Sequence, residues 1–525
     1  MQHGAALSAP NNDGDTPLHF ASMWARPQAV QALLECGAAY GARNRRSRAP
    51  LEVAAAALAG SAPEEVHAAR EAVRAAFYTS EPRLRTLVAH HPECQEHQPR
   101  NATDWECPAR IDAIMERLTG GALFRAYELD VTTNFKRAPA AALRRVHTAD
   151  YLKFVDGLSR ELGAAGAPAA VPFTPMVQRD LMRKAEVKPH EFCDTSFSAG
   201  SLGAARRAAG AVVAAVDSVL AGRHRNAFCA VRPPGHHAGP DGLLEAAASC
   251  GFCIFNNVAV GALHALEAHG LARVAIVDTD VHHGNGTEEI VRAYCQPSKL
   301  LFYSIHLFDK EGGDGKSDES ESYSYQFFPG SGSVDDTALN IINAPVQPLW
   351  RSRGGRSTKT RSAQAAAASA AAAAGRGSWR EAIMARLLPT LRAFNPQLIL
   401  MSSGFDAVEG DVGNARHARG KCAGTDLTPA DYAWITERIQ EVADMCCDGR
   451  LVSVLEGGYG RPHLDPPDDR RHSRVATASA TAPAVAASFS SSATAALREL
   501  QSTDSPTTTD DEGGDKPMEV CLCFV

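Results

Sequence analysis

The sequence predicts an α/β protein: a mainly parallel sheet with helices on both faces. Three observations carry that expectation. Strand-like runs recur at 227–231, 274–277, 300–305, 398–401 and 451–455. Helix-like stretches at 204–220, 256–268, 379–394 and 429–445 alternate with several of them, a pattern that favours parallel pairing. The run VAIV at 274–277 is apolar and β-branched, the profile of a strand buried on both faces, and polar residues follow it at once: Asp278, Asp280, His282 and His283. Open α/β sheets place their sites at such carboxyl ends.

In chain order, residues 11–37 resemble an ankyrin repeat, with TPLH at 16–19, a helical Leu-Leu pair and Gly37. A degraded second copy is expected at 44–57, giving an ankyrin segment over 11–60. About three repeats are usually needed to bury their apolar faces, so this segment must dock on the next domain or be the remnant of a longer array. Binding of a protein partner and a stabilising cap are both open as its role. VRAAFY at 73–78 reads as the first strand of a main domain over 72–460. The polar stretch 90–118 has histidines without regular ligand spacing, expected to be solvated, and leads into a helix from about Pro108. A helix is expected over 141–159, with His147 and Tyr151 on one face. Residues 351–378 read as an exposed low-complexity insertion, and 461–525 as a disordered tail.

Composition narrows the functional classes. A formal net charge of −7 and an isoelectric point near 6.3 argue against a whole-chain nucleic-acid binder, so no direct nucleic-acid partner is expected. No apolar run is long enough to span a bilayer, and the first residues lack a signal-peptide pattern. The ending CLCFV has Leu522 where prenylation needs cysteine. Thirteen cysteines without paired CxxC sites read as reduced thiols of an intracellular protein. RNRRSR at 43–48 is a short basic signal, which leaves nuclear and cytoplasmic placement open.

Chemistry concentrates after the strands. If extended geometry persists past 278, Asp278, Asp280 and His282 share one side, and a carboxylate and an imidazole two residues apart suit zinc ligation. RPPGHHAG at 232–239 sets His236 and His237 behind a rigid turn, suited to paired acid/base work near neutral pH. SSGFDA at 402–407 offers Asp406 as a second carboxylate. LEGGYG at 455–460 presents Tyr459 on a glycine turn, and GFCIFNN at 251–257 sets Phe252 beside Gly251. Motifs at the ends of successive strands form a constellation that single motifs do not.

With SIHLF at 304–308 and FFPGSG at 327–332, these motifs resemble the zinc-dependent histone deacetylases of class II in order and spacing. The resemblance covers about 72–460 outside the insertion. It implies the arginase/deacetylase α/β fold and hydrolysis of N6-acetyl-lysine in histones or other proteins. It implies Asp280, His282 and Asp406 as zinc ligands, His237 as general base and then acid, and His236 as an electrostatic partner. Asp278 and Asn285 would orient those histidines, Tyr459 would donate to the oxyanion, and Phe252, Phe328 and Gly251 would line the lysine channel. Structural potassium near Asp278, Asp280, His282 and Ser304 is implied as well. Departures are Thr279, Ser403 and Gly413. Gly413 stands where a leucine is usual, or where a glutamate marks polyamine-preferring members. The competing expectations are a deacetylase of acetylpolyamines and a weakly active ankyrin scaffold.

Overall fold

The computed structural model describes residues 6–56, 64–101, 105–121, 123–164, 169–173, 194–244, 249–309, 327–352, 375–415 and 424–460. The expected tail, and the expected insertion from 353 to 374, lie outside them. Among the described residues, eight parallel strands form one sheet. They are β1 (Thr86–Ala89), β2 (Leu129–Thr132), β5 (Asn226–Cys229), β6 (Val274–Asp278), β7 (Leu300–Leu307), β8 (Ile341–Val346), β9 (Leu398–Ser403) and β10 (Leu451–Leu455). A short antiparallel pair, β3 (Ala170–Pro172) and β4 (Ser196–Ser198), stands apart from them.

The order across the sheet is β2-β1-β5-β10-β9-β6-β7-β8. The chain builds one flank through β5, crosses to β6, builds the other flank, then returns to insert β9 and β10 in the middle. The reversal leaves a crevice at the carboxyl ends of β5, β10, β9 and β6, where ligands bind in open α/β sheets.

Side-chain alternation divides the core into two layers. Val274, Ile276, Leu398, Leu400, Val452 and Val454 pack with the helices Ser201–Leu220 and Asn257–Glu267. Ala275, Val277, Ile399, Met401, Leu451 and Leu455 face the opposite way, onto Ala109–Thr119, Leu388–Phe394 and Pro429–Cys447. Both faces are covered, which is why the central strands read as continuous apolar runs. The stretch 379–394 is not one regular helix: a π turn, Ile383–Leu387, precedes Leu388–Phe394. Pro389 has no N–H to donate back into the helix there.

Two further expectations are corrected. Residues 73–78 are helical, part of Glu64–Ser80, and the sheet begins at Thr86. Val73 and Phe77 are spaced four apart, so both fall on one buried helical face, against Leu18, Val30 and Leu34 of the N-terminal helices. The stretch 141–159 divides into Ala140–Leu143 and Ala149–Leu162, because Thr148 caps the second helix by accepting from Tyr151 N. His147 and Tyr151 are still neighbours, with ring centroids 5.3 Å apart.

The N-terminal helices Pro17–Met23 and Pro27–Glu35 show what TPLH does. Thr16 and His19 form a reciprocal cap, Pro17 starts the helix, Leu18 is fully buried, and His19 Nε2 meets the Arg48 carbonyl at 2.9 Å. The module meets the α/β body through Arg43, which donates to Asp444 Oδ2 at 2.7 Å.

Candidate active site

Strand β6 ends at Asp278, and the polar residues beyond it are folded by their own carboxylates. Asp278 Oδ1 accepts from Asp280 N (3.1 Å) and Asp280 Oδ1 from His282 N (2.9 Å). Extended geometry therefore does not persist, and the expected three-way convergence divides. Asp278 turns to His236, while Asp280 and His282 meet Asp406, which arrives from the end of β9.

One atom, His282 Nδ1, lies 3.0 Å from Asp280 Oδ1 and 3.1 Å from Asp406 Oδ2. The three donor atoms all fall within 4.8 Å of one another. Gly457 N donates to Asp280 Oδ2 at 2.9 Å, and Val281 N to Asp406 Oδ1 at 3.0 Å. Beyond that 3.1 Å approach of His282, Asp406 Oδ2 is buried with no further hydrogen-bond partner. Two glycines admit this crowding: a Cβ on Gly404 would strike Asp280 Oδ2, and one on Gly457 would strike Asp406 Oδ2. The cluster draws positive charge. Burial opposes the His282 imidazolium, yet the two carboxylates raise it to about 10. Burial and the neighbouring Asp280 push the Asp406 carboxyl up. Two buried carboxylates and an imidazole with their donor atoms turned toward one another fit zinc, which takes such donors and leaves a position open for chemistry.

Beside this cluster, the His236 and His237 rings lie 3.9 Å apart, centroid to centroid. His236 Nδ1 pairs with Asp278 Oδ2 at 2.9 Å, and His237 Nδ1 with Asn285 Oδ1 at 2.8 Å. The environments separate the two rings. Burial opposes charge on His236, but Asp278 and Asp280 lift it to about 10. Burial, then the positive His236 and His282, hold His237 well below the usual histidine range.

Tyr459 is presented from the end of β10. Asp411 Oδ2 accepts from Tyr459 N (2.8 Å) and Gly460 N (2.7 Å), which fixes the turn. Burial first, then Asp406, push the phenol well above its usual pKa, so it stays a donor. The Phe252 ring is 5.5 Å from Tyr459, and Phe328 is 4.9 Å from His237. Gly251 lies between His237 and Phe328.

Sequence reasoning missed the residues that hold this arrangement. Glu456 Oε2 accepts from Gly235 N (2.7 Å) and His236 N (3.2 Å), anchoring the histidine turn. Arg110 donates to the Gly458 and Glu456 carbonyls at 2.7 and 2.6 Å, with its guanidinium 4.9 Å from the Tyr459 ring centre. Arg232, fully buried, makes a two-pronged pair with Glu106 at 2.7 Å on each arm. Phe327 stacks on His282 at 5.0 Å, and the doubled phenylalanine of FFPG was its available signal. His97 is not solvated as expected: it is buried, 2.7 Å from Ser201 Oγ and 3.5 Å from Glu106.

Comparison with known proteins agrees with this architecture. The histone deacetylase domain model matches residues 104–466 and the ankyrin repeat model residues 13–45. Type-2 histone deacetylase 2 of Dictyostelium discoideum is 33% identical over 396 residues, 72% of this chain and 20% of that protein. Histone deacetylase 14, chloroplastic, of Arabidopsis thaliana is 31% identical over 367 residues, 68% of this chain and 70% of that one. The crystal structure of the HDA15 HD domain superposes with a TM-score of 0.51 at 29% identity, covering 72% of this chain and 85% of that one. The chain spans 20%, 28% and 24% of the first three curated relatives it matches. With its parallel sheet, its crevice and its N-terminal repeat, the chain belongs to the histone deacetylase family, among relatives of class II.

Proposed function

We propose that the chain is a zinc-dependent protein lysine deacetylase, hydrolysing N6-acetyl-lysine to lysine and acetate. The observation that carries this reading is the meeting of Asp280, His282 and Asp406 beside a neutral His237. Zinc held by those three residues would supply a Lewis acid that polarises the acetyl carbonyl and acidifies a water. The chain's own residues do the rest. Asn285 accepts the Nδ1 proton of His237 and leaves Nε2 open to take a proton from the attacking water. As the C–N bond breaks, His237 returns that proton to the departing lysine amine. His236, kept charged by Asp278, stabilises the negative charge gathering beside it, and the Tyr459 hydroxyl donates to the oxyanion. Phe252 and Phe328 flank the approach and suit the methylenes of an extended lysine side chain.

Potassium as a second, structural ion is part of the same reading. It is supported by the register that sets Asp278 opposite Ser304 on β7. Acetylated histone tails or other acetylated proteins are the proposed substrates, and the ankyrin segment is the proposed face for a protein partner. No described helix is long and apolar enough to cross a membrane, and a nuclear or cytoplasmic setting is proposed.

The test is turnover of an acetyl-lysine histone peptide against N-acetylspermidine, with and without a chelator. Peptide turnover abolished by chelation is expected. Turnover of the polyamine alone would move the substrate to small amines, and no turnover of either by zinc-loaded protein would favour the scaffold.

A further inference from the structure

A second group of metal-ligating side chains lies outside the active site. Asp217 stands on the helix Ser201–Leu220, His264 in the last turn of Asn257–Glu267, and His269 just past that helix. Their donor atoms fall within 4.8 Å of one another. His264 Nε2 and His269 Nε2 each lie 2.7 Å from the same oxygen, Asp217 Oδ1. The two rings stand nearly perpendicular, at 87°, with centroids 5.1 Å apart. We propose that Asp217, His264 and His269 bind a divalent transition metal of the zinc type, stapling together the two helices that cover one face of the sheet.

The donor set favours this class of ion, since two imidazoles and a carboxylate suit zinc, cobalt or nickel and not the oxygen-seeking calcium or magnesium. The placement also allows it. Metal–ligand bonds of about 2.0–2.1 Å around a tetrahedral ion hold neighbouring donors roughly 3.3 Å apart. The present 2.7 Å contacts must therefore open by about half an ångström. The side chains have that freedom: His269 and Asp217 are 33% and 44% exposed, and His269 lies beyond the constraint of the helix. Partial exposure also leaves water to complete the coordination. Arg145 Nη1 approaches His264 Nδ1 at 3.5 Å, on the ring nitrogen turned away from Asp217. Its charge weakens cation binding without blocking the donor triangle.

The position in the fold gives such an ion something to act on. The first turn of Asn257–Glu267 is tied to the catalytic turn, because Asn256 Nδ2 donates to the Ala238 carbonyl and Asn257 Nδ2 to the Pro233 carbonyl, both at 3.1 Å. His264 sits toward the other end of the same helix, roughly 11 Å away at the usual helical rise. A metal there would fix the far end of the helix that buttresses His236 and His237, adding stability rather than chemistry.

Equilibrium dialysis of the full chain against micromolar free zinc, with bound metal counted by atomic absorption, tests the assignment. The expected count is two ions per wild-type chain, one in His269→Gln and one in Asp406→Asn. Arg145→Gln should fill the second site at lower free zinc. In thermal unfolding, zinc should raise the midpoint of Asp406→Asn but not that of the double variant that also carries His269→Gln. A count that His269→Gln leaves unchanged overturns the proposal. Because deacetylation is not the readout, failure of the deacetylase reading would leave this result standing.

Discussion

Tyr459 reaches the crevice with its backbone already fixed by Asp411 and its ring beside Arg110. Removing its hydroxyl alone therefore tests chemistry without disturbing the turn. Tyr459→Phe is expected to lower kcat on an acetyl-lysine peptide by roughly 10²–10³ while leaving the unfolding midpoint in place. An undiminished kcat would remove Tyr459 from the mechanism. Gly413 makes a different point. A Cβ there would stand 2.8 Å from Asp406 Cβ and 3.1 Å from Tyr459 Cδ2. Gly413→Leu is thus expected to push apart two site residues and depress turnover of peptide and polyamine alike. A faster peptide reaction would show instead that the residue builds a missing tunnel wall. At this scale the sequence was readable where a chemically distinctive residue closes a motif beyond a strand end, as His236, Asp280, Asp406 and Tyr459 do. Arg110 and Glu456 were not readable, because their partners lie hundreds of residues away in the chain, and a lone arginine or glutamate carries no periodic signal.

Among elements, Glu106, just before Ala109–Thr119, is tied down by a buried ion pair. Arg232 donates to Glu106 on both arms and also to the Cys94 and His97 carbonyls, at 3.1 and 2.7 Å. Burial alone would raise the Glu106 carboxyl, but Arg232 and His97 hold it well below the ordinary 4.5. A carboxylate depressed in this way stabilises the fold fully above its unfolded pKa and loses that contribution as pH falls through the folded value. Glu106→Gln, which strands a buried guanidinium, is expected to cost about 3–5 kcal/mol at neutral pH. Urea midpoints of variant and wild type should converge as pH drops below 4.5, and a gap that persists into strong acid would contradict the linkage. The β5, β6, β9 and β10 runs were legible because both their faces are buried. The edge strands β2 and β8 were not: Leu129–Thr132 is half exposed and Ile341–Val346 contains Pro345, which only an edge tolerates. The helix at 73–78 was misread because its end, Phe-Tyr, has strand-like composition, while the spacing of Val73 and Phe77 was helical.

At the scale of the molecule, the short ankyrin module meets the body at Asp444. Asp444 is shared by Arg43 of the module and Arg225 of the deacetylase body. A groove of about 790 Å³ runs along that seam, between Tyr40, Arg43 and Leu51 on one side and Glu441, Asp444 and Met445 on the other. Both ion pairs are partly exposed, so Asp444→Ala is expected to cost only about 1 kcal/mol. Hydrogen exchange should nonetheless quicken in Pro17–Met23 and Glu64–Ser80 while β6 and β9 stay protected; unchanged exchange in those helices would mean the module holds itself. The most direct measurement strips the chain of metal and follows deacetylation of an acetyl-lysine peptide as zinc is returned, beside Asp406→Asn. Activity should be lost on stripping, return with the tighter-bound equivalent of zinc, and stay absent in the variant. Full turnover by the stripped chain, or zinc-restored turnover in Asp406→Asn, would contradict the assignment of Asp280, His282 and Asp406.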